Sequence, residues 1–296
     1  MANTSKTVVF FGTDNFSLTI LRGLVESGYD VTAVVTKPDS KSGRGHKLNF
    51  PDTKRFAIEH NIKILQPKNV SEINEDIKIL GDNVVGVLAS YGKIIPQSTI
   101  GLFNPGIINV HPSLLPKYRG PSPIESVIQN GDEKTGISIM RLTPDMDAGQ
   151  IYGQMTYILS GNENRIDLRK KLSESGAEIL LSLLPGILNG KIKPKNQNEN
   201  DATYCKLLAK NQARLDVKEM TAAAADRKIR TFRGLFNTKL DVLGHSISVT
   251  KAHVTNESKT PLDIKFKDGN YLSIDELIAP SGRTMPPKEF LNGYIN

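Results

Sequence analysis

A carboxamide, an imidazole and a carboxylate stand out among the 296 residues for the chemistry they could do together: Asn109, His111 and Asp147. The first two sit in Ile-Ile-Asn-Val-His, an apolar run over residues 107–111 bounded by Gly106 and Pro112, which predicts a short buried strand. Strand side chains alternate faces, so Asn109 and His111 share one. A carboxamide can donate to an oxygen on which negative charge develops, and an imidazole can exchange a proton near neutral pH. A lone histidine at a strand end is more often a hydrogen-bonded structural group than a catalyst. Pairing with Asn109, and with Asp147 in a turn downstream, weighs toward acid–base chemistry. In an open α/β sheet such side chains emerge at the carboxyl end of the strand, where these sheets place their ligands. The proline-rich loop that follows, with Gly120 in it, is too stiff for a casual connection.

The elements needed to hold these residues are legible as an alternation. Residues 7–13 read as a strand and glycine turn, and Phe16, Ile20, Leu21 and Leu24 follow at helical spacing. Buried strands are predicted at 31–35, 63–65 and 83–92, with helices at 51–60 and 71–80 between them. This rhythm predicts a Rossmann-like parallel sheet with helices on both faces. Strands over 136–142 and 151–159 flank the turn that carries Asp147. The stripe Leu168, Leu172, Ile179, Leu183 and Ile187 predicts a helix covering the sheet. Residues 191–204 are polar and without periodicity, which predicts a linker between a domain over 1–190 and a second over 205–296. In the second, a helix near 221–231 precedes short alternating segments, the pattern of a small β-barrel.

Composition narrows the function classes. The chain has one cysteine, Cys205, so it holds no internal disulfide and no paired-cysteine metal or redox motif. Its five histidines include no HExxH spacing, and neither a GxGxxG fingerprint nor a P-loop occurs. With no long apolar run and no signal-peptide pattern, a cytoplasmic protein without membrane contact is expected. The net charge is +7, and its excess is uneven: residues 191–296 hold 18 Lys and Arg against 12 Asp and Glu, and the first 190 hold 20 against 19. A basic second domain suits a phosphate-rich partner, and it also suits plain solubility. Lys37, Lys41, Arg44, His46 and Lys47 crowd one glycine-containing loop after the second strand. It reads as a solvated connection or as a flap that closes over a polyanion.

The pattern Asn109-x-His111-x-Ser113-Leu114-Leu115-Pro116-x-Tyr118-Arg119-Gly120, with Met146-Asp147-Ala148-Gly149 downstream, resembles the folate-dependent formyltransferases. The likeness continues through Phe11-Gly12-Thr13, the loop from Thr36 to Leu48, Ala202-Thr203-Tyr204, Arg227-Lys228-Ile229-Arg230 and Glu289-Phe290-Leu291-Asn292-Gly293, and so spans nearly the whole chain. The resemblance implies the formyltransferase fold followed by an OB-like barrel, and a catalytic set of Asn109, His111 and Asp147. It implies 10-formyltetrahydrofolate as co-substrate, with no metal, held by Ser113, Leu114, Leu115 and Pro116 and by the turn at Leu88, Tyr91 and Gly92. It also implies transfer to the α-amino group of charged initiator tRNA, with Lys37, Lys41, Arg44, His46 and Lys47 meeting phosphates on a monomeric enzyme. A sugar-nucleotide amine as acceptor, or water in a hydrolase, fits the same catalytic set. Two departures concern the acceptor end: Gln150 stands where the family usually has an acidic residue, and Phe232-Arg233-Gly234-Leu235-Phe236-Asn237 replaces a Trp-Pro-Gly segment.

Overall fold

The computed structural model describes residues 7–42 and 47–295. Arg44 and His46 of the basic loop lie outside the described residues, as do the side chains of Lys41 and Lys47. The chain divides into two compact units, one of residues 1–123, 135–158 and 169–205, the other of residues 124–134, 159–168 and 206–296.

The first unit opens with β1 (Thr7–Phe11), α1 (Asn15–Glu26) and β2 (Val31–Val35), a parallel βαβ pair as the apolar runs predict. Asp14 starts α1 by accepting the main-chain N–H groups of Phe16 and Ser17, the usual duty of an N-cap carboxylate. The basic loop forms a small antiparallel hairpin, β3 (Ser40–Ser42) with β4 (Lys47–Asn49), where the sequence predicts only a loop. Its root is pinned because Lys54 Nζ bonds both Asp39 oxygens at 2.8 and 2.6 Å and Gln66 Oε1 at 2.8 Å. Then come α2 (Asp52–Glu59), β5 (Lys63–Leu65), α3 (Asn74–Ile79), β6 (Val84–Leu88), α4 (Gln97–Ile100) and β7 (Ile107–His111). After α5 (Pro123–Asn130), β8 (Lys134–Arg141) and β9 (Ile151–Ile158) complete a sheet ordered β5-β2-β1-β6-β7-β8-β9. The first five strands of that order are parallel, and β8 runs antiparallel to β7, so the sheet is mixed at one edge.

Helices cover both faces. On one, α6 (Arg165–Leu188) comes so close that a Cβ at Gly176 would sit 3.0 Å from Val110 Cγ1. On the other, Ile77 of α3 and Ile100 of α4 join a buried cluster with Phe11, Tyr91, Phe103 and Ile107. Ile107 and Val110 thus face opposite layers, as strand alternation requires.

The second unit contains α7 (Ala222–Phe232), β10 (Thr238–Val242), β11 (His245–Thr255), β12 (Asp263–Lys265), β13 (Tyr271–Ile278), β14 (Thr284–Met285) and α8 (Pro287–Tyr294). The strands form one curled antiparallel sheet, ordered β10-β11-β13-β12 with β14 on β13, the barrel-like domain expected. Ala222, Ala225 and Ile229 of α7 pack with Ile247, Val249, Leu272 and Leu277, so the inward faces of helix and strands share one core. The tail helix α8 completes it with Phe290, and Pro287 at its first turn removes a donor that has no helical partner there. No described helix is long and apolar enough to cross a membrane.

Candidate active site

The register of β7 decides which side chains meet. Asn109 pairs with Leu88 on β6 and Met140 on β8, and His111 pairs with Ser138. Both Asn109 and His111 are 5% exposed, on the face that Ile107 shares. His111 Nε2 lies 3.0 Å from the Tyr118 carbonyl oxygen. A carbonyl can only accept, so Nε2 carries the hydrogen and donates; the partner assigns the tautomer. Nδ1 faces the Asp147 carboxylate at 3.7 Å, an ion-pair separation longer than a hydrogen bond. The other Asp147 oxygen accepts the Gly120 N–H at 2.8 Å. One short piece of loop, Tyr118 to Gly120, therefore orients both partners.

That loop is itself tightly held. Ser113 Oγ donates to the Lys117 carbonyl at 2.6 Å, closing the turn on itself. Ser138 Oγ donates to the Ser113 carbonyl and accepts the Leu115 N–H, and Gln154 Nε2 donates to the Leu115 carbonyl. Tyr118 has φ +60° and Asp147 φ +48°, left-handed conformations that non-glycine residues hold only where their surroundings insist. At Gly120, φ is +120° and a Cβ would lie 2.4 Å from the Cys205 carbonyl oxygen. No side chain fits there.

The Asn109 carboxamide differs from its neighbours. The residue is 5% exposed, and no side-chain hydrogen bond to another described residue holds its carboxamide. Its amide is not among the fully buried polar atoms left without a partner, so it keeps access to solvent on the His111 face of the strand, where a carboxamide can donate to a ligand atom.

The residues read as folate contacts divide by environment. Leu88, Leu114 and Pro116 are half-buried and Leu115 is buried. The Ser113 hydroxyl is committed to its own loop. Tyr91 is 1% exposed, and its ring lies in the apolar cluster edge-on to Phe11 with burial raising its phenol to about 12, so its main chain alone is left to line a pocket. Gly92, at φ +71°, is covered by the Lys37 side chain: a Cβ there would lie 2.5 Å from Lys37 Nζ. Lys37 is thus brought to the turn after β6. The turn is fixed through Ser90, at φ +47°, whose Oγ donates to Asp14 Oδ2 at 2.6 Å while Arg169 bonds both.

Sequence reasoning missed how residues 197–205 serve the site. Arg119, 1% exposed, pairs with both oxygens of Glu199 at 2.8 and 2.7 Å, and its guanidinium also bonds Gln197 and the Tyr204 hydroxyl. The Glu199 hydrogen bonds raise the guanidinium above its ordinary range and hold the Glu199 carboxyl below the usual carboxylate value. The main chain of Arg119 bonds Thr203 and Cys205, and Thr203 Oγ1 accepts the Tyr118 N–H. The polar stretch expected to be a linker groups with the first unit and straps its site loop. A strap of this kind leaves no periodic signal in the sequence.

Comparison with known proteins agrees with the geometry. Residues 5–184 match the formyl transferase family. Over 97% of its length the chain is 37% identical to the methionyl-tRNA formyltransferase of Lactobacillus acidophilus, covering 95% of that protein. It is 36% identical to the methionyl-tRNA formyltransferase of Caldanaerobacter subterraneus subsp. tengcongensis, covering 97% of this chain and 96% of that one. Among solved structures, the N-formyltransferase of Helicobacter canadensis in complex with folinic acid and dTDP-3-aminofucose superposes with a TM-score of 0.69 at 18% identity, covering 91% of this chain and 98% of that one. The last likeness speaks to the fold alone. With a family match over residues 5–184 and relatives aligned over nearly their whole length, this chain belongs to the formyl transferase family, among the methionyl-tRNA formyltransferases.

Proposed function

We propose that the chain transfers the formyl group of 10-formyltetrahydrofolate to the α-amino group of methionyl initiator tRNA, in the cytoplasm, in support of translation initiation. The observation that carries this reading is the meeting of Asn109, His111 and Asp147 in a chain whose full-length relatives bear that activity in their names. A fold neighbour in complex with dTDP-3-aminofucose is 18% identical, a much weaker link than 37% over 97% of the chain.

The unpaired Asn109 donor, beside an imidazole and a carboxylate, fits a formyl donor. When bound, this co-substrate would supply an activated formyl carbon: a neutral amine would bond to it and become cationic, charge would build on the formyl oxygen, and the bond to the folate nitrogen would break as the proton lost by the amine is taken up there. Asn109 NH₂ is the donor for that oxygen, a role typically worth about 3 kcal/mol. His111 Nε2–H is committed to Tyr118, which leaves Nδ1 as the position that takes the proton from the attacking amine and passes it to the leaving folate nitrogen. Asp147, 3.7 Å away, stabilises the charge that Nδ1 then carries. Leu88, Leu114, Leu115, Pro116 and the main chain at Tyr91 and Gly92 form the proposed folate-binding surface, with the Ser113 hydroxyl holding the loop in shape.

Lys37, Lys41, Arg44, His46 and Lys47 are proposed to meet the acceptor end of the tRNA, and the basic second domain its stem. The experiment is formyl transfer by His111→Ala and Asp147→Asn. Both variants should fold and lose at least about a hundredfold in kcat, the scale of lost acid–base and electrostatic help. Near-wild-type turnover in both would remove the catalytic assignment.

A further inference from the structure

The Asp147 turn needs more support than its own sequence supplies. Asp147 sits at φ +48°, and Met146 beside it is 58% exposed, so little apolar packing holds the turn from outside. Gly149 presses on β8 so closely that a Cβ would lie 1.8 Å from the Arg141 carbonyl oxygen. Between these two points, the main-chain carbonyls of Asp147 and Gly149 both turn toward Gln197. Its Nε2 donates to each at 2.7 Å. Its Oε1 accepts from Arg119 Nε at 3.1 Å and Nη2 at 2.9 Å.

This amide has only one workable orientation. The carbonyls require its NH₂ and the guanidinium requires its oxygen, so all four bonds fix the same rotamer. The segment on either side is anchored as well: Lys195 exchanges two main-chain bonds with Ile151, and Asn196 Oδ1 accepts from Gln150 Nε2 at 2.8 Å. Beyond it, Glu199 and the main chain of residues 203–205 fasten Arg119, whose loop neighbours orient His111 and Asp147. Gln197 is the piece common to the Asp147 turn and the Arg119 loop.

We propose that Gln197 is a positioning residue for formyl transfer, acting through Asp147 by clamping the main chain of its turn at Asp147 and Gly149 so that the carboxylate stays opposite His111 Nδ1. The inference rests on the function proposed above. A carboxylate placed 3.7 Å from the ring and tied by one bond to Gly120 has little tolerance for a shifted main chain. A residue that touches neither substrate can therefore govern the rate through orientation.

The test is kinetic, with 10-formyltetrahydrofolate and charged initiator tRNA, on Gln197→Ala and Gln197→Glu in the wild-type and Asp147→Ala backgrounds. Glu keeps the acceptor for Arg119 and loses both donors to the turn, so it separates the clamp from the anchoring of the strap. Each single variant should lose about tenfold or more in kcat, with KM for both substrates within about twofold, the signature of lost orientation rather than lost binding. In the Asp147→Ala background the same changes should cost nothing further, because the group they position is gone. Wild-type kcat for Gln197→Glu would overturn the inference, and so would an equal loss in both backgrounds. If Gln197→Ala does not fold, Gln197→Glu alone decides; failure of both to fold would assign Gln197 a purely structural role and overturn the proposal. Absence of transfer by the unmodified protein would overturn the function itself and this inference with it, whereas an active wild type with an impaired Asp147→Ala and an unimpaired Gln197→Glu rejects the inference alone.

Discussion

The proposed chemistry rests on three side chains whose roles are separated by what each already bonds. His111 spends Nε2 on Tyr118, Asp147 spends one oxygen on Gly120, and Asn109 spends nothing among the described residues. An Asn109→Ala variant is therefore expected to fold, since it breaks no described bond, and to lose about 10² to 10³ in kcat, as removal of an oxyanion donor does. Steady-state kinetics beside a thermal melt checks both halves; a large loss of stability with unchanged kcat would contradict the assignment. Gly149→Ala should behave in the opposite way. A methyl placed 1.8 Å from the Arg141 carbonyl oxygen must displace main chain, so the melt itself should drop, in the range of about 1–3 kcal/mol that local strain costs. Asn109 and His111 were legible because period-two alternation ties spacing to a shared face. Gln197 was not, because a glutamine in a run of polar residues acquires meaning only from the carbonyls that three-dimensional folding brings to it.

Elements were readable where their hydrophobic period was strong. The βαβ opening, β7 and α7 all lie where apolar spacing places them, since burial of one face is what stabilises each. The hairpin in the basic loop and the strap over residues 197–205 escaped notice because polar bonds hold them rather than apolar faces. The tail helix had a readable signal in Pro287 at its start and the spacing of Phe290, Leu291 and Tyr294. The strap carries its own pH dependence. The Arg119 ion pair lowers the Glu199 carboxyl, so its contribution to stability is complete above the unfolded carboxylate value of about 4.3 and is lost as pH falls through the lower folded value. The difference in urea midpoint between wild type and Glu199→Gln should therefore shrink from about pH 6 to about pH 3. A difference that stays constant over that interval would mean the ion pair does not hold the strap.

At the scale of the whole molecule, charge and fold divide the work. The +7 net charge lies mostly in the C-terminal third, outside the strands of the barrel-like sheet, which has its own core. Affinity for a polyanion through such a surface falls with salt, because each neutralised phosphate releases counterions. Replacing Arg44 and Lys47 by Ala should raise KM for charged tRNA and flatten its salt dependence while leaving folate affinity in place; an unchanged salt slope would return the loop to a solvated connection. The same catalytic set fits the amine of an amino sugar. The most direct measurement is a side-by-side transfer assay in which the purified protein receives 10-formyltetrahydrofolate with labelled formyl and either charged initiator tRNA or a nucleotide-linked amino sugar. Label is expected on the methionyl amine of the tRNA and none on the sugar, and label on the sugar with none on the tRNA would contradict the proposed function.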